Sequence, residues 1–235
     1  AISVGASGGE IRNLGTDSQR ATLGSGKVTG SGLLTLSFGS TDTRIGVNAQ
    51  AGFSGKWLVD GGGLYNVNRF MDVTKNAGLG SGTGDDFITL QNGGRMLHRG
   101  GTLGSASQGF TVGAGTNRLS IAGGETVTIA AKLSGAAGNG LEIDLSNSTS
   151  TGLLTHAGNS LLGDVVLTGP GIVRLGASGV LPDNGGTVTI QTNATLDLGA
   201  YNEVIGGLAG LGTVNVRVAS SSVTCGSAGS AWNMR

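Results

Sequence analysis

The feature that most constrains the fold is a short pattern of alternating apolar and polar residues, broken by a turn, that occurs more than once. Val188 and Ile190 precede such a turn, and Leu196 and Leu198 follow it. The stretch 88–98 repeats the same order at about the same spacing. Alternation with a period of two is typical of half-buried strands. Because one such unit cannot bury its apolar face alone, the repetition predicts units that stack on one another.

The amino-acid composition supports an all-β fold. Glycine accounts for 48 of the 235 residues, 12% of residues are charged and 37% are hydrophobic. Only Pro170 and Pro182 interrupt the chain, so reversals of direction depend on glycine and asparagine, which reach positive φ at little cost. Many turns and alternating apolar residues together predict a β-solenoid, in which each corner needs positive φ or a close approach to the corner above.

The chain is expected to form one solenoid over 1–235, built from two degenerate tandem copies. The copies span about 20–125 and 126–216, followed by a C-terminal segment, 217–235. The stretch Phe53–Val67 aligns without a gap on Leu161–Leu175, with glycines and apolar positions coinciding. Stacking of the copies predicts a continuous core.

Two insertions in the first copy, Asp42–Asn48 and Arg69–Lys75, are expected to form loops on one face. The alternation also predicts which side chains point inward. This inward set is Leu34, Leu36, Leu58, Leu64, Val67, Ile88, Leu90, Val166, Ile172, Leu175, Val188, Ile190, Leu196, Leu198, Ile205, Val214 and Val216.

One segment resembles a known family. Residues 196–214 read LDLGAYNEVIGGLAGLGTV, which closely resembles the autotransporter-associated beta-strand repeat, a string of the form LDLxG, variable, IGxLxGxGTV. The preceding stretch, 167–179, resembles the other half of that repeat. The resemblance covers 153–216 closely and 30–97 more loosely. It implies a right-handed parallel β-helix with inserted loops, exported to a cell surface, where such repeats serve as stalks, adhesins and filament-like material.

The charge balance argues against two classes of partner. Lys plus Arg and Asp plus Glu number 14 each, so the net charge gives no footprint for nucleic acid or an anionic membrane. No run approaches the roughly 18 apolar residues of a membrane helix, and we expect no membrane span. The start Ala1-Ile2-Ser3-Val4 suits a mature end left after signal-peptide removal. We therefore expect a secreted, extracellular or cell-surface protein.

The residues that could carry chemistry do not form a catalytic set, so we expect no enzyme activity and no cofactor or metal. Asp85 and Asp86, with Asp72, could bind calcium through their carboxylates. Calcium needs six to eight oxygen ligands, however, so a solvated turn is the preferred interpretation. His98 and His156 occupy strand positions and are interpreted as wall residues with satisfied hydrogen bonds.

A surface polysaccharide is a second candidate partner. Aromatic residues make up 4% of the chain and are dispersed, but together they could form a surface on which sugars stack. Those considered are Trp57, Tyr65, Tyr201 and Trp232.

The function expected is that of a structural protein that assembles with itself into filaments or a surface matrix. The end coils of a solenoid expose backbone groups that another chain can pair, and neither the start, 1–5, nor the alternating stretch 213–218 shows an obvious cap. We expect head-to-tail stacking into an open fibre, with Cys225 as a candidate crosslink. The residues predicted to make this contact are Ile2, Val4, Val214, Val216, Val218 and Cys225.

Three alternatives remain. The end could instead be protected, with 220–235 folded back over the last coil and Trp232 as its apolar plug. The chain could also be a detached adhesin passenger. A carbohydrate-active β-helix enzyme is the third reading, and it would need a groove with clustered acids and bases.

Overall fold

The computed structural model describes residues 1–15, 19–39, 42–63, 69–183 and 185–226. These residues contain 26 strands and no helix, and every paired strand is parallel to its partner. In chain order the strands are β1 (Ile2–Val4), β2 (Gly9–Asn13), β3 (Gln19–Leu23), β4 (Val28–Gly30), β5 (Leu33–Phe38), β6 (Thr43–Val47), β7 (Lys56–Asp60), β8 (Phe70–Val73), β9 (Gly84–Gln91), β10 (Arg95–His98), β11 (Gly101–Leu103), β12 (Gln108–Val112), β13 (Thr116–Ile121), β14 (Thr126–Ile129), β15 (Leu133–Gly135), β16 (Gly140–Leu145), β17 (Thr151–Leu154), β18 (Ser160–Leu161), β19 (Val165–Thr168), β20 (Ile172–Leu175), β21 (Thr187–Ile190), β22 (Thr195–Asp197), β23 (Glu203–Ile205), β24 (Gly207–Gly210), β25 (Thr213–Asn215) and β26 (Val223–Cys225).

The strands form a three-sided parallel β-solenoid of about nine turns, which confirms the predicted fold class. Each coil passes from a seven-stranded sheet to a nine-stranded sheet and then to a six-stranded sheet, here called the seven-strand, nine-strand and six-strand sides. β4 follows β3 as β11 follows β10, so the β1–β4 pair continues the six-strand side at one end. The β23–β26 pair likewise continues the seven-strand side at the other end.

The structural repeat is a single coil. Paired residues on successive coils are separated by 18 residues at Thr195 and Thr213 and by 31 residues at Trp57 and Ile88. Adjacent coils lie about 4.8 Å apart, so nine of them give a rod about 40 Å long.

The core fills the inside of every coil with aliphatic columns. One column on the nine-strand side runs through Val47, Val73, Ile121 and Leu145, all buried, with His98 between the second and third of them. Each residue packs on its counterparts above and below, so the wall missing from one coil is supplied by the next.

Most of the predicted inward set is confirmed. The buried members are Leu34, Leu36, Ile88, Leu90, Leu175, Val188, Ile190, Leu196, Leu198 and Ile205. Val214 is partly buried against the core. Leu64 and Val67 lie outside the described residues.

Four members of the inward set are wrong. Leu58, Val166 and Ile172 face outward, while the residues beside them in the same strands are buried. Each lies in a run of consecutive apolar residues, where alternation does not define which face is inner. Val216 lies beyond the end of β25 and is exposed.

The expectation of inserted loops is wrong at both places named. Residues 43–47 form β6 and residues 70–73 form β8, in the middle of the nine-strand side. These stretches were predicted as loops because the first copy has extra residues there relative to the second, but the extra residues form strands of additional coils. Arg44 is partly exposed, whereas Asp72 is buried and its charge is compensated by two hydrogen bonds from Arg99.

Glycine meets the close-approach requirement at one corner. Gly32, Gly55 and Gly82 stack on successive coils, and a Cβ on Gly55 or Gly82 would collide with the carbonyl oxygen of the glycine before it. Nearby, Gly30 has a φ of 97°, a left-handed value that side-chain-bearing residues rarely adopt. The corner therefore needs glycine for two separate reasons.

Candidate functional site

One end of the solenoid presents the edge of β1. The Ile2 N–H donates to the Lys27 carbonyl oxygen at 2.6 Å, so the backbone of Ile2 faces the neighbouring strand, β4. Because successive residues of a parallel strand bond to opposite sides, the N–H and C=O of Ser3 point away from the rod. No strand of the described residues pairs with this outer edge.

The other end presents the edge of β25 on the same side. The Thr213 N–H donates to the Ala194 carbonyl oxygen, and the Asn215 carbonyl accepts from the Leu198 N–H, each at 3.0 Å. The residue between them, Val214, therefore directs its N–H and C=O away from β22. In the described part of the chain nothing pairs with this edge either.

The six predicted self-association residues divide between these two ends. Ile2 is exposed, whereas the Val4 side chain is buried in the core, so Val4 could contribute through its backbone alone. The predicted strand 213–218 ends at Asn215. Val216 and Val218 follow it in a bend and are 55% and 40% exposed.

Apolar side chains are concentrated at the β25 end. Leu211 is 85% exposed, and Val204 is also exposed. Together with Val216 and Val218, they form what we call the distal apolar patch. Exposed apolar groups at an interface gain free energy when a partner removes them from water.

A buried carboxylate fastens the last coil to the one before it. Asp197 is fully buried, and its oxygens accept from Arg174 Nε and Arg217 Nε, each at 2.9 Å. Burial alone would raise the Asp197 pKa, but the two arginines and the Gly199 N–H together hold this pKa below its usual value. Arg217 thereby anchors the bend that carries Val216 and Val218.

A second buried acid lies beside this end. The Glu203 carboxylate accepts from the backbone N–H groups of Val180 and Leu181, at 2.9 and 3.2 Å. Burial raises the pKa of Glu203 to about 6, although these two hydrogen bonds lower it in part. This role could not be predicted from the sequence, because an acid after Asn202 is typical of an ordinary turn.

Cys225 lies in β26, half-buried against the core, opposite Ile205. Burial raises the pKa of the Cys225 thiol, which disfavours the reactive thiolate. The alternative of a folded-back end with Trp232 as a plug falls mainly on 227–235, outside the described residues.

The nine-strand side carries a row of arginines that sequence reasoning missed. Arg20 pairs in register with Arg44, Arg44 with Phe70, and Arg95 with Arg118. The guanidinium carbons of Arg44 and Arg95 lie 5.0 and 5.2 Å from the centre of the Phe70 ring, on neighbouring coils. We call these five residues the arginine row. Its only sequence signal is an arginine before an apolar residue in four separate strands.

Three carboxylates on the next coils pair with this row. Arg118 Nη2 donates to Glu142 Oε2 at 2.8 Å, and Arg95 Nη2 lies 3.4 Å from Asp144 Oδ2. Arg20 crosses Gly46, where a Cβ would meet its guanidinium, and reaches within 3.5 Å of the buried Asp72.

A groove of about 730 Å³ continues from the arginine row along the solenoid. Thr116 and Arg118 line one part, and Glu142, Thr168 and Gln191 line the part over later coils. Thr168 Oγ1 donates to Glu142 Oε1 at 2.9 Å. The groove therefore offers hydroxyl, amide and carboxylate groups along the direction in which the coils stack.

His98 corrects the interpretation of a wall histidine with satisfied hydrogen bonds. It is 1% exposed, and neither ring nitrogen has a hydrogen-bond partner among the described residues. The ring adjoins a cavity of about 80 Å³ that Leu79, Thr102 and Gln108 also line. Burial lowers the pKa of His98 to about 4. His156 differs, since it follows β17 and its Nδ1 accepts from the Gly158 N–H at 3.0 Å.

The acids considered for calcium are held apart and paired with cations. Asp85 and Asp86 lie within β9, not in a turn, and form ion pairs of 2.6 Å with Lys132 and Lys56. Asp72 lies on a different side and accepts two hydrogen bonds from Arg99. Among the described residues, no group of three or more His, Cys, Asp or Glu side chains could hold a metal ion.

The two aromatic residues considered for sugar stacking that the structure describes, Trp57 and Tyr201, do not form an exposed surface. Trp57 is fully buried, edge-on to Phe53 at 4.9 Å, and its indole N–H donates to the Leu79 carbonyl at 2.9 Å. Tyr201 packs partly against the core. Tyr65 and Trp232 lie outside the described residues.

Comparisons of the chain with protein-family models, characterised proteins and solved structures found no match. Within the ranges that the structure describes, no helix could cross a membrane. The parallel β-solenoid is consistent with a β-helix passenger.

Proposed function

We propose that this protein is an extracellular or cell-surface structural protein whose 235-residue chains stack end to end into filaments or a matrix. The observation that carries the proposal is the outward-facing backbone of Val214 on β25, at the end of the six-strand side. Unpaired backbone groups on an edge strand are a template for another strand.

The opposite end offers a matching edge. Ser3 directs its backbone outward from β1, which continues the same side of the solenoid. A β1 edge laid on a β25 edge would extend the parallel ladder from one molecule to the next. Because the two surfaces differ, the contact is heterologous and leaves both ends of each growing assembly open.

The distal apolar patch supports the same contact. Three of its side chains flank β25 along the chain, at Leu211, Val216 and Val218, and the fourth, Val204, lies on β23; all four are exposed in the single molecule. Ile2 and Leu14 are exposed at the opposite end. Covering apolar surface at both ends would add a hydrophobic contribution to the backbone pairing.

The proposals that the protein is secreted and that it is an autotransporter-type passenger are supported by the resemblance of 153–216 to the autotransporter-associated repeat.

We also propose that the protein is not an enzyme. This proposal is supported by His98, which is buried, and by Asp85 and Asp86, which are paired with lysines.

The first test removes one outward N–H from the β25 edge. Val214→Pro deletes the N–H that points away from β22 and leaves the bonds of Thr213 and Asn215 intact. We expect filaments of the wild-type chain by electron microscopy and single rods of the variant with an unchanged circular dichroism spectrum. Wild-type rods that stay single at every concentration would contradict the proposal.

The matched control is Ala219→Pro. Ala219 is the second residue of the turn closed by the Ser221 N–H and the Val218 carbonyl, a position that favours proline. This variant should form filaments as the wild type does. If Ala219→Pro and Val214→Pro behave alike, the β25 edge is not the contact.

A mixing experiment tests the polarity of the contact. Ser3→Pro blocks the β1 edge and Val214→Pro blocks the β25 edge, so each variant alone should stay single. Mixed together, they retain one compatible pair of ends and should form pairs of rods but no longer assemblies. Filaments in the mixture would show that other surfaces join the chains.

A further inference from the structure

We propose that the nine-strand side binds an anionic polysaccharide lying along the solenoid, with the arginine row as the site for its carboxylate or sulfate groups. This inference does not depend on filament formation. It assigns a ligand class to a local cluster of arginines, which the net charge of zero for the whole chain does not indicate.

The register of the sheet creates the site. Arg20, Arg44, Arg95 and Arg118 come from four separate strands that are distant in sequence, and parallel pairing places them in one outward line. Stacked coils lie about 4.8 Å apart, so cations recur along the rod at one- or two-coil intervals. A linear polyanion meets such a line best when it lies along the same axis.

The row has four arginines and pairs with three carboxylates, Asp72, Glu142 and Asp144. Burial, Arg118 and Arg44 all lower the pKa of Arg95, to about 10, and Asp144 offsets this only in part. Arg44 forms no ion pair within the described ranges, and its buried Nε has no hydrogen-bond partner there. An anion placed over this pair would relieve repulsion between like charges.

Phe70 pre-organises the two central guanidinium groups. Its ring is 5% exposed and lies between Arg44 and Arg95 at 5.0 and 5.2 Å. Cation–π contact holds both guanidinium groups against the ring before a ligand arrives, which lowers the ordering cost of binding. Planar guanidinium groups can donate two parallel hydrogen bonds to a carboxylate or sulfate.

The adjoining groove suits the uncharged part of a sugar chain. Thr116, Thr168 and Gln191 line it beside the Arg118–Glu142 ion pair. These side chains can donate to and accept from sugar hydroxyls. A polysaccharide that places its acidic groups on the row could therefore continue into the groove.

A nucleic acid fits this surface less well. Recognition of single strands uses exposed aromatic rings on which bases stack, and Phe70 is covered by the two arginines. Duplex DNA carries one charge per about 1.7 Å, far denser than one cation per coil. The sparser charge of a uronate or sulfated polysaccharide matches the spacing of the row.

The test measures binding of soluble polymers to the full chain attached to a sensor at low density, so that self-association does not contribute. The probes are polygalacturonate, dextran sulfate, neutral dextran and single-stranded DNA. Binding of either anionic polysaccharide, weakened by added salt, supports the proposal and shows whether carboxylate or sulfate is preferred. Failure of both to bind at low salt overturns it, as does equal or tighter binding of neutral dextran or DNA.

Variants locate the site. Arg44→Gln combined with Arg95→Gln should weaken binding by about tenfold or more, because two charge-assisted contacts are lost. Arg12→Gln removes one positive charge, as Arg20→Gln does, from the exposed face of β2 on the seven-strand side, and should change affinity by less than about twofold. Equal losses in both would show diffuse attraction and overturn the assignment.

Arg20→Gln covers the case in which the double variant fails to fold. Arg20 is 47% exposed, and Asp72 keeps its two hydrogen bonds from Arg99 when Arg20 is replaced. This variant should fold normally, by circular dichroism, and bind about threefold or more weakly than the wild type. Unchanged affinity would overturn the assignment of the row.

Discussion

His98 is the residue at which the aliphatic core is interrupted. Val73 and Ile121 occupy the equivalent positions on the coils before and after it. A neutral imidazole can be accommodated beside the small cavity, but a charged one would lose its hydration with no carboxylate to replace it. The lowering of its pKa to about 4 follows from this burial.

We expect His98→Leu to remove a loss of stability in acid. The unfolded His98 side chain takes up a proton near pH 6.5, whereas the folded one does so only near pH 4. Protons therefore favour the unfolded wild-type chain as the pH falls through this window, by up to about 3 kcal/mol at its lower end. Urea titrations at several pH values should show a gap between variant and wild type that widens from pH 7 to pH 4.

His156→Asn is the control. It removes the other histidine and leaves an acceptor for the Gly158 N–H, so the acid loss of the wild type should persist. A parallel pH response of His98→Leu and wild type would show that His98 is not the titrating group. Glu203 acts in the opposite direction, because its raised pKa makes stability fall as the pH rises from about 4.5 to about 6. The informative quantity is therefore the difference in the free energy of unfolding between each variant and the wild type at the same pH, because Glu203 contributes equally to both.

At the scale of the element, strict alternation was enough to place many strands, and continuous apolar runs were not. Leu36 was predicted correctly because the polar residues Thr35 and Ser37 flank it. In the run Trp57-Leu58-Val59 the inner face was assigned to Leu58, but Trp57 and Val59 are buried. The indole N–H of Trp57 needs an acceptor, which the Leu79 carbonyl supplies only on the inside. That acceptor comes from another coil and is not visible in a local pattern.

The candidate sites were predicted unevenly for a related reason. Both end edges could be anticipated from the stacking of coils, although the last strand proved shorter than its alternation suggested. The arginine row could not, because it depends on the register between strands of separate coils. Arg44 lies in a stretch that the sequence predicts to be a loop, so the residues paired with it on adjacent coils could not be predicted.

Gly55→Ala should disrupt the corner where glycines stack. A Cβ at this position would collide with the Gly32 carbonyl oxygen and approach the Phe53 ring. Both are held by packing between coils, so we expect a loss of about 2 kcal/mol or more in the free energy of unfolding. Denaturant titration measures it.

Gly78→Ala is the matched control for this substitution. An added Cβ at Gly78 meets nothing within 4 Å, and its φ is not in the left-handed region. The change should therefore stay within about 0.5 kcal/mol of the wild type. Comparable losses in the two variants would mean that crowding against Gly32 and Phe53 does not explain the cost at Gly55, because the entropy change of the unfolded chain on Gly→Ala is stabilising.

At the scale of the whole molecule, stability should be distributed along the rod, because each coil contacts only its neighbours. Ile190→Ala truncates a buried side chain on β21 and should cost about 2–4 kcal/mol in a urea titration. Thr189→Ala, on the outer face of the same strand, should cost less than about 1 kcal/mol. Similar losses at the two positions would contradict the observed register.

The parallel stacking of strands also determines how the rod would respond to a pulling force. Hydrogen bonds between coils run along the axis, so tension at the two ends acts on them directly and on one coil boundary at a time. A coil such as the one from Met96 to Leu119 contains 23 residues and would lengthen to about 80 Å when drawn out. Each rupture would lengthen the molecule and so lower the tension on the next coil boundary. In a surface layer built from such rods, shear would therefore be absorbed in discrete steps, as coils unfold one at a time before any molecule detaches.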